Sequence, residues 1–142
     1  MSIWFTRPDL AELNRIHAET AVAALGIRLT AVGDDFLAGT MPVDARTRQP
    51  AGLLHGGASV LLAETLGSAA AISCVDSATQ YCVGLEVNAN HVRGVRDGVV
   101  TGVARPLHIG RTSHVWSIEI RTAEDQLVCV ARLTAAVIAK PN

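Results

Sequence analysis

The chain has 142 residues, of which 49% are apolar and only 4% aromatic, and its formal net charge is −1. That composition excludes a disordered chain and suffices for one substantial core, so a single domain over residues 1–142 is expected. Lys and Arg number 12 against 13 Asp and Glu, with no basic run, which argues against nucleic acid or an anionic membrane as partner.

Met1 to Leu10 lacks the apolar core of a signal peptide. Thr6–Arg7–Pro8–Asp9 reads as a helix start with Thr6 as N-cap, and Leu10, Leu13, Ile16 and His17 keep helical spacing. A second short helix runs to Leu25 and stops at Gly26. Ile27 to Val32 and Phe36 to Met41 are strands around the turn Gly33–Asp34–Asp35, and Pro42 to Ala51 is a loop.

Leu53 to Cys74 is apolar on nearly every side, which predicts a buried helix. The stretch approaches the length of a membrane span, but its Glu, Gly, Ser and Thr content argues for burial in protein. Glu64 is the only formally charged side chain between Pro50 and Val75. A carboxylate buried there loses hydration unless it is paired or neutralised, so Glu64 is the first candidate for chemistry. Gly56 and Gly57 stand at the start of this helix, where free N–H groups and the helix dipole favour a polarised carbonyl.

Beyond the helix, Val83 to Val92 alternates apolar and polar residues. Val99 to Leu107, Ser113 to Ile120 and Leu127 to Ile138 are rich in β-branched residues and are separated by turn residues. Four consecutive strands predict an antiparallel meander. The expected fold class is α+β, one antiparallel sheet wrapped around one long central helix. Cys74, Cys82 and Cys129 are odd in number and form no CxxC, as in reduced thiols of a cytoplasmic protein. His17, His108 and His114 have no metal-ligand spacing, and there is neither a GxSxG nucleophile elbow nor a phosphate loop, so no metal and no cofactor are expected.

Gln49–Pro50–Ala51–Gly52–Leu53–Leu54–His55–Gly56–Gly57, followed by Ala63–Glu64–Thr65–Leu66–Gly67–Ser68, resembles the hotdog-fold acyl-CoA thioesterases. Gly33–Asp34–Asp35, Met41–Pro42–Val43–Asp44, Gly84 to His91 and Pro106 to Gly110 extend the resemblance over nearly the whole chain. Within that family it is similar to the phenylacetate-thioesterase branch, and there to the naphthoyl-CoA and enterobactin-proofreading thioesterases.

The resemblance implies hydrolysis of acyl-CoA, or of an acyl-carrier-protein thioester, with aryl or medium-chain acyl groups. It implies a homodimer or a dimer of dimers, in which the Gly56 N–H of one subunit polarises the carbonyl. Glu64 of the other then attacks the carbonyl or activates water. Ser68 either orients the reacting water or carboxylate, or bonds back to the helix carbonyl. Gln49 either approaches the thioester or serves the turn, and His55 either bonds the thioester oxygen or braces the loop. His91, Arg93 and Arg111 match positions near the nucleotide of coenzyme A, or are solvated strand ends. Ala51 stands where relatives commonly have Phe, and Ala71 where they usually have Gly; both are expected to border the acyl pocket. An enoyl-thioester hydratase or dehydratase and a non-catalytic acyl-CoA-binding module are the alternatives on this fold.

Overall fold

The computed structural model describes residues 1–141. Asp9, rather than Thr6, caps the first helix, α1 (Leu10–Ile16), accepting hydrogen bonds from the N–H groups of Ala11 and Glu12. The reason lies in the segment before it. Phe5 and Thr6 both donate to the Ser73 carbonyl, and Arg7 reaches Asp34 and the Val32 carbonyl. Residues 5–7 thus tie two distant parts of the chain together and are not available for a helical turn.

Thr20 caps the four-residue α2 (Ala21–Ala24), and Gly26, at φ +71°, ends the helical region. The hairpin β1 (Arg28–Val32) and β2 (Leu37–Pro42) follows as expected. The long helix α3 (Gly56–Ser73) comes next, then β3 (Gln80–His91), β4 (Val99–Ile109), β5 (Ser113–Thr122) and β6 (Leu127–Ala139).

All six strands form one antiparallel sheet in the order β1-β2-β4-β5-β6-β3. The meander holds for β4, β5 and β6 only. β3 pairs with β6 along its whole length, from Gln80↔Ala139 to His91↔Cys129, while β4 lies beside β2. Turn residues mark where a chain reverses, not which strand it then meets. The link at residues 92–98 is too long for a tight hairpin, and it carries the chain across the end of the sheet.

The sheet curls around α3, giving the hotdog arrangement. Leu62, Ala63, Leu66 and Ala70 on the helix are fully buried against Trp116, Ile118, Ile120 and Leu133 of the sheet. Each large side chain among them contributes roughly 1.5–3 kcal/mol. The helix approaches the sheet closely because Gly39 and Gly102 lie under Leu66; a Cβ at either would stand within 3.0 Å of a Leu66 methyl.

The expectation of a helix buried on all sides is corrected by the structure. Glu64 is exposed, as is Ile72 at 46%, and Ser68 is half-buried. These three residues, at i, i+4 and i+8, share one face. The sheet wraps the helix only part of the way round, so that a single chain leaves this face open. β3, at the neighbouring edge of the sheet, also exposes Tyr81, Val83 and Leu85, the last at 64%.

Candidate active site

The N-terminus of α3 is assembled by the loop before it. Gln49 N–H donates to the Leu53 carbonyl at 2.8 Å and Gly52 N–H to the Gln49 carbonyl at 2.9 Å, with Gly52 in the left-handed region at φ +79°. His55 N–H then bonds the Thr47 carbonyl at 2.7 Å, and Leu54 N–H the Val95 carbonyl at 2.7 Å. The loop is therefore held from one side by its own stem and from the other by the β3–β4 link.

His55 is the N-cap of α3: its Nδ1 accepts from Gly57 N–H at 2.8 Å. That contact braces the start of the helix. An accepting Nδ1 leaves Nε2 as the ring's donor. Gly57 N–H is thereby occupied, and Ala58 and Ser59 N–H groups bond the His55 carbonyl. Gly56 N–H has no acceptor among the described residues. A free N–H at the positive end of an 18-residue helix is suited to receive a carbonyl oxygen that gains charge.

That N–H opens on a cleft of about 400 Å³ whose walls include Gln49, Leu54, Gly56, His91 and Arg93. His91 lies over Gly56 so closely that a Cβ there would come within 2.8 Å of its Nε2. The side-chain oxygen of Gln49 turns back to accept from Ala51 N–H, which leaves its amide NH₂ to the cleft. Four residues singled out from the sequence, Gln49, Gly56, His91 and Arg93, thus converge from the loop, the helix and the end of β3.

Glu64 lies outside that cleft. It is eight residues from Gly56 along the same helix, about 12 Å at the α-helical rise. Its Oε1 rests against β3, 3.0 Å from where a Cβ on Gly84 would stand. Gly84 borders a β-bulge, since Gly84 pairs with Ala135 and Glu86 with Thr134, with Leu85 left over. The sequence reading missed this close approach of Gly84 to Glu64. A glycine inside an alternating strand was the available signal, because it marks a bulge or a close approach.

Ser68 makes no bond to the carbonyl four residues back, whereas Thr65 and Ser73 both do, at 2.7 and 2.8 Å. Its hydroxyl is left free on the face of Glu64. Arg111 is not brought to the cleft. It sits in the β4–β5 turn, at the opposite end of the sheet from His91, on the order of 30 Å away along an eleven-residue strand. Ala51 is exposed in the loop before α3, but Ala71 is fully buried, its carbonyl accepting from the Cys82 thiol and from Cys74 N–H. Ala71 is therefore packed in the core.

The three cysteines are free thiols, and burial pushes Cys74 up to about 12. No cluster of three or more His, Cys, Asp or Glu suited to a metal ion occurs among the described residues. No helix among them is long and apolar enough to cross a membrane.

The thioesterase superfamily model matches residues 51–129, which run from the loop before α3 to the start of β6. The chain belongs to the thioesterase superfamily. It is 51% identical to the 1,4-dihydroxy-2-naphthoyl-CoA hydrolase of Escherichia coli over 136 residues, covering 96% of this chain and 99% of the relative. It is 48% identical to the proofreading thioesterase EntH of Cronobacter turicensis, with 96% and 98% covered. The crystal structure of a mutant thioesterase from Pseudomonas aeruginosa superposes with a TM-score of 0.96 at 54% identity, covering 98% of this chain and all of the other. A thioesterase from Haemophilus influenzae gives 0.93 at 50% identity, with 96% and 95% covered. This member of the superfamily is an enzyme that hydrolyses thioesters, built as one antiparallel sheet around a central helix.

Proposed function

We propose that the chain is a single hotdog domain, residues 1–142, that hydrolyses aryl or medium-chain acyl-CoA thioesters in the cytoplasm, without a cofactor, as a dimer or dimer of dimers. The observation that carries this reading is the unspent Gly56 N–H at the α3 N-terminus, facing the cleft of Gln49, His91 and Arg93. Glu64 stands on the open face of the same helix, too far along it to serve the same carbonyl. Two copies meeting through their open faces would bring the Glu64 of one to the Gly56 of the other.

In that arrangement Gly56 N–H receives the thioester oxygen, and the positive end of the helix stabilises the negative charge that grows on it. Glu64 either attacks the carbonyl carbon to form an anhydride or removes a proton from the attacking water. Both routes release coenzyme A as the thiolate, and water, adding to the anhydride in the first or to the carbonyl in the second, gives the free acid and restores Glu64. Ser68, whose hydroxyl is not spent on the helix, orients the water or the carboxylate. Gln49 offers its NH₂ to the substrate, and Gly57 keeps the helix terminus open to it. His91 and Arg93 bind the phosphate-bearing arm, and Arg111 does so only if a further subunit brings it there. Ala51, in place of a larger ring, leaves the acyl pocket wide. Acyl-CoA is preferred to carrier-protein thioesters as the substrate class, on the likeness to a relative named as a CoA hydrolase.

The test is a thiol-release assay over aryl, short, medium and long acyl-CoAs, on the parent and on Glu64→Gln. The substitution is nearly isosteric and removes the charge and nucleophilicity together. A loss of ~10²-fold or more in kcat is expected, with an unchanged melting temperature. Near-parental turnover in the folded variant would remove Glu64 from the reaction.

A further inference from the structure

Five arginines of this chain, at positions 7, 15, 46, 105 and 121, are each paired with a carboxylate of the chain itself. Six are not: Arg28, Arg111 and Arg132 elsewhere in the fold, and the three around the α3 N-terminus. Arg48, Arg93 and Arg96 make no salt bridge, and neither Arg93 nor Arg96 donates a side-chain hydrogen bond among the described residues. Asp97 and Glu124 line the same small cleft of about 260 Å³ as Arg93 and Arg96, yet pair with neither.

The β3–β4 link fixes where these charges stand. It is held by Leu54 N–H on the Val95 carbonyl at 2.7 Å, by Val43 N–H on the Gly98 carbonyl at 2.8 Å and by Arg48 Nε on the Arg96 carbonyl at 2.8 Å. Arg48 is thus used to hold the backbone of residue 96. The Arg96 guanidinium turns back over the loop before α3, its Nη1 lying 3.9 Å from the place of a Cβ on Gly52. Arg93 borders both the cleft of Gly56 and the neighbouring cleft, whereas Arg96 borders only the second. Outward from the Gly56 N–H, the order is therefore Arg93, then Arg96.

We propose that Arg96 is a second phosphate-binding residue, which takes a phosphate on the nucleotide side of the substrate's carrier arm, beyond the one held by Arg93. The inference rests on the thioesterase reading above. A guanidinium has a rigid fork of donors that matches a phosphate, and two of them on one braced link hold two successive phosphates with little ordering to do on binding. Asp97 and Glu124 line the same cleft without pairing with Arg96, so its guanidinium is free to take an anion.

The experiment compares Arg96→Ala and Arg96→Lys with the parent on one acyl group carried by CoA, by 4′-phosphopantetheine and by pantetheine. For Arg96→Ala, KM on acyl-CoA should rise roughly tenfold while kcat falls by less than about twofold, because a distant phosphate contact contributes uniform binding. KM on the two shorter carriers should move by less than about twofold, and Arg96→Lys should recover part of the loss on acyl-CoA, since the charge remains. Direct binding of free CoA to the folded Arg96→Ala protein should weaken by a similar factor, a readout that needs no turnover.

Parental KM on acyl-CoA would overturn the proposal. So would an equal rise on acyl-pantetheine, which would mean that Arg96 only supports the loop, and an equal rise on acyl-phosphopantetheine, which would move the contact to the inner phosphate. If the parent itself released no thiol from any carrier, the thioesterase reading would fall and Arg96's role with it. A parent active on all three, beside an Arg96→Ala variant indistinguishable from it, would defeat this inference alone.

Discussion

His114 shows how much one buried side chain can set. Its ring is 1% exposed, beside Trp116, whose own ring stacks on Trp4 at 6.4 Å and 5° between planes. His114 Nδ1 and Trp116 Nε1 are both buried without a hydrogen-bond partner. Burial pushes His114 below its ordinary value of 6.5, the nearby His108 adds to the effect, and a backbone hydrogen bond at Gly110 opposes it. The native state therefore keeps this ring neutral where the unfolded chain protonates it. The resulting stability is complete above the unfolded value and is lost as pH falls through 6.5 towards the lower folded value. Denaturant midpoints of the parent should fall between pH 7 and 5, and His114→Gln should flatten that fall by up to one proton's worth of slope. Identical slopes in the two proteins would show that His114 does not carry the effect.

At the scale of elements, the contact between α3 and the sheet depends on small residues at chosen places. Gly39 of β2 faces Leu66, and a Cβ on it would meet the Arg28 carbonyl oxygen at 2.7 Å as well as a Leu66 methyl at 3.0 Å. The carbonyl is backbone within the β1–β2 pair and cannot turn aside. Gly39→Ala is expected to cost about 1–3 kcal/mol, as for overpacking at other tightly packed sites, and to lower the thermal midpoint by several degrees. Midpoints within about a degree of the parent would mean that the hairpin relaxes freely. The hairpin itself was legible in the sequence, since Gly33–Asp34–Asp35 falls between two β-rich runs. The crossing of β3 to the far edge was not, because local pattern records strand identity and turn position but no partner.

For the whole molecule, the decisive feature is the face that one chain leaves open. β3 is an edge strand of twelve residues with Tyr81, Val83 and Leu85 exposed, and it borders the helix face that carries Glu64 and Ile72. Long apolar edges invite pairing with another chain. Light scattering should give at least twice the monomer mass at assay concentration. Val83→Lys, which puts a charge on that edge, should weaken the assembly and reduce thiol release together. A fully active monomer would refute the shared-site proposal.

The sequence alone determined the type of nearly every element, the hotdog arrangement by resemblance, and the isolation of Glu64 on an apolar helix. These depend on periodicity, turn chemistry and motif spacing, all of which are local. Tertiary structure decided what local pattern cannot encode. It showed Asp9 as cap in place of Thr6, because residues 5–7 are tied to Ser73 and Asp34. It placed Gly84 beneath Glu64, Arg96 over Gly52, and Arg111 at the far end of the sheet. It also left Glu64 in the open, although the sequence around it reads as buried. An all-round apolar helix states how much cover it needs, while only the path of the sheet determines how much of that cover its own chain provides.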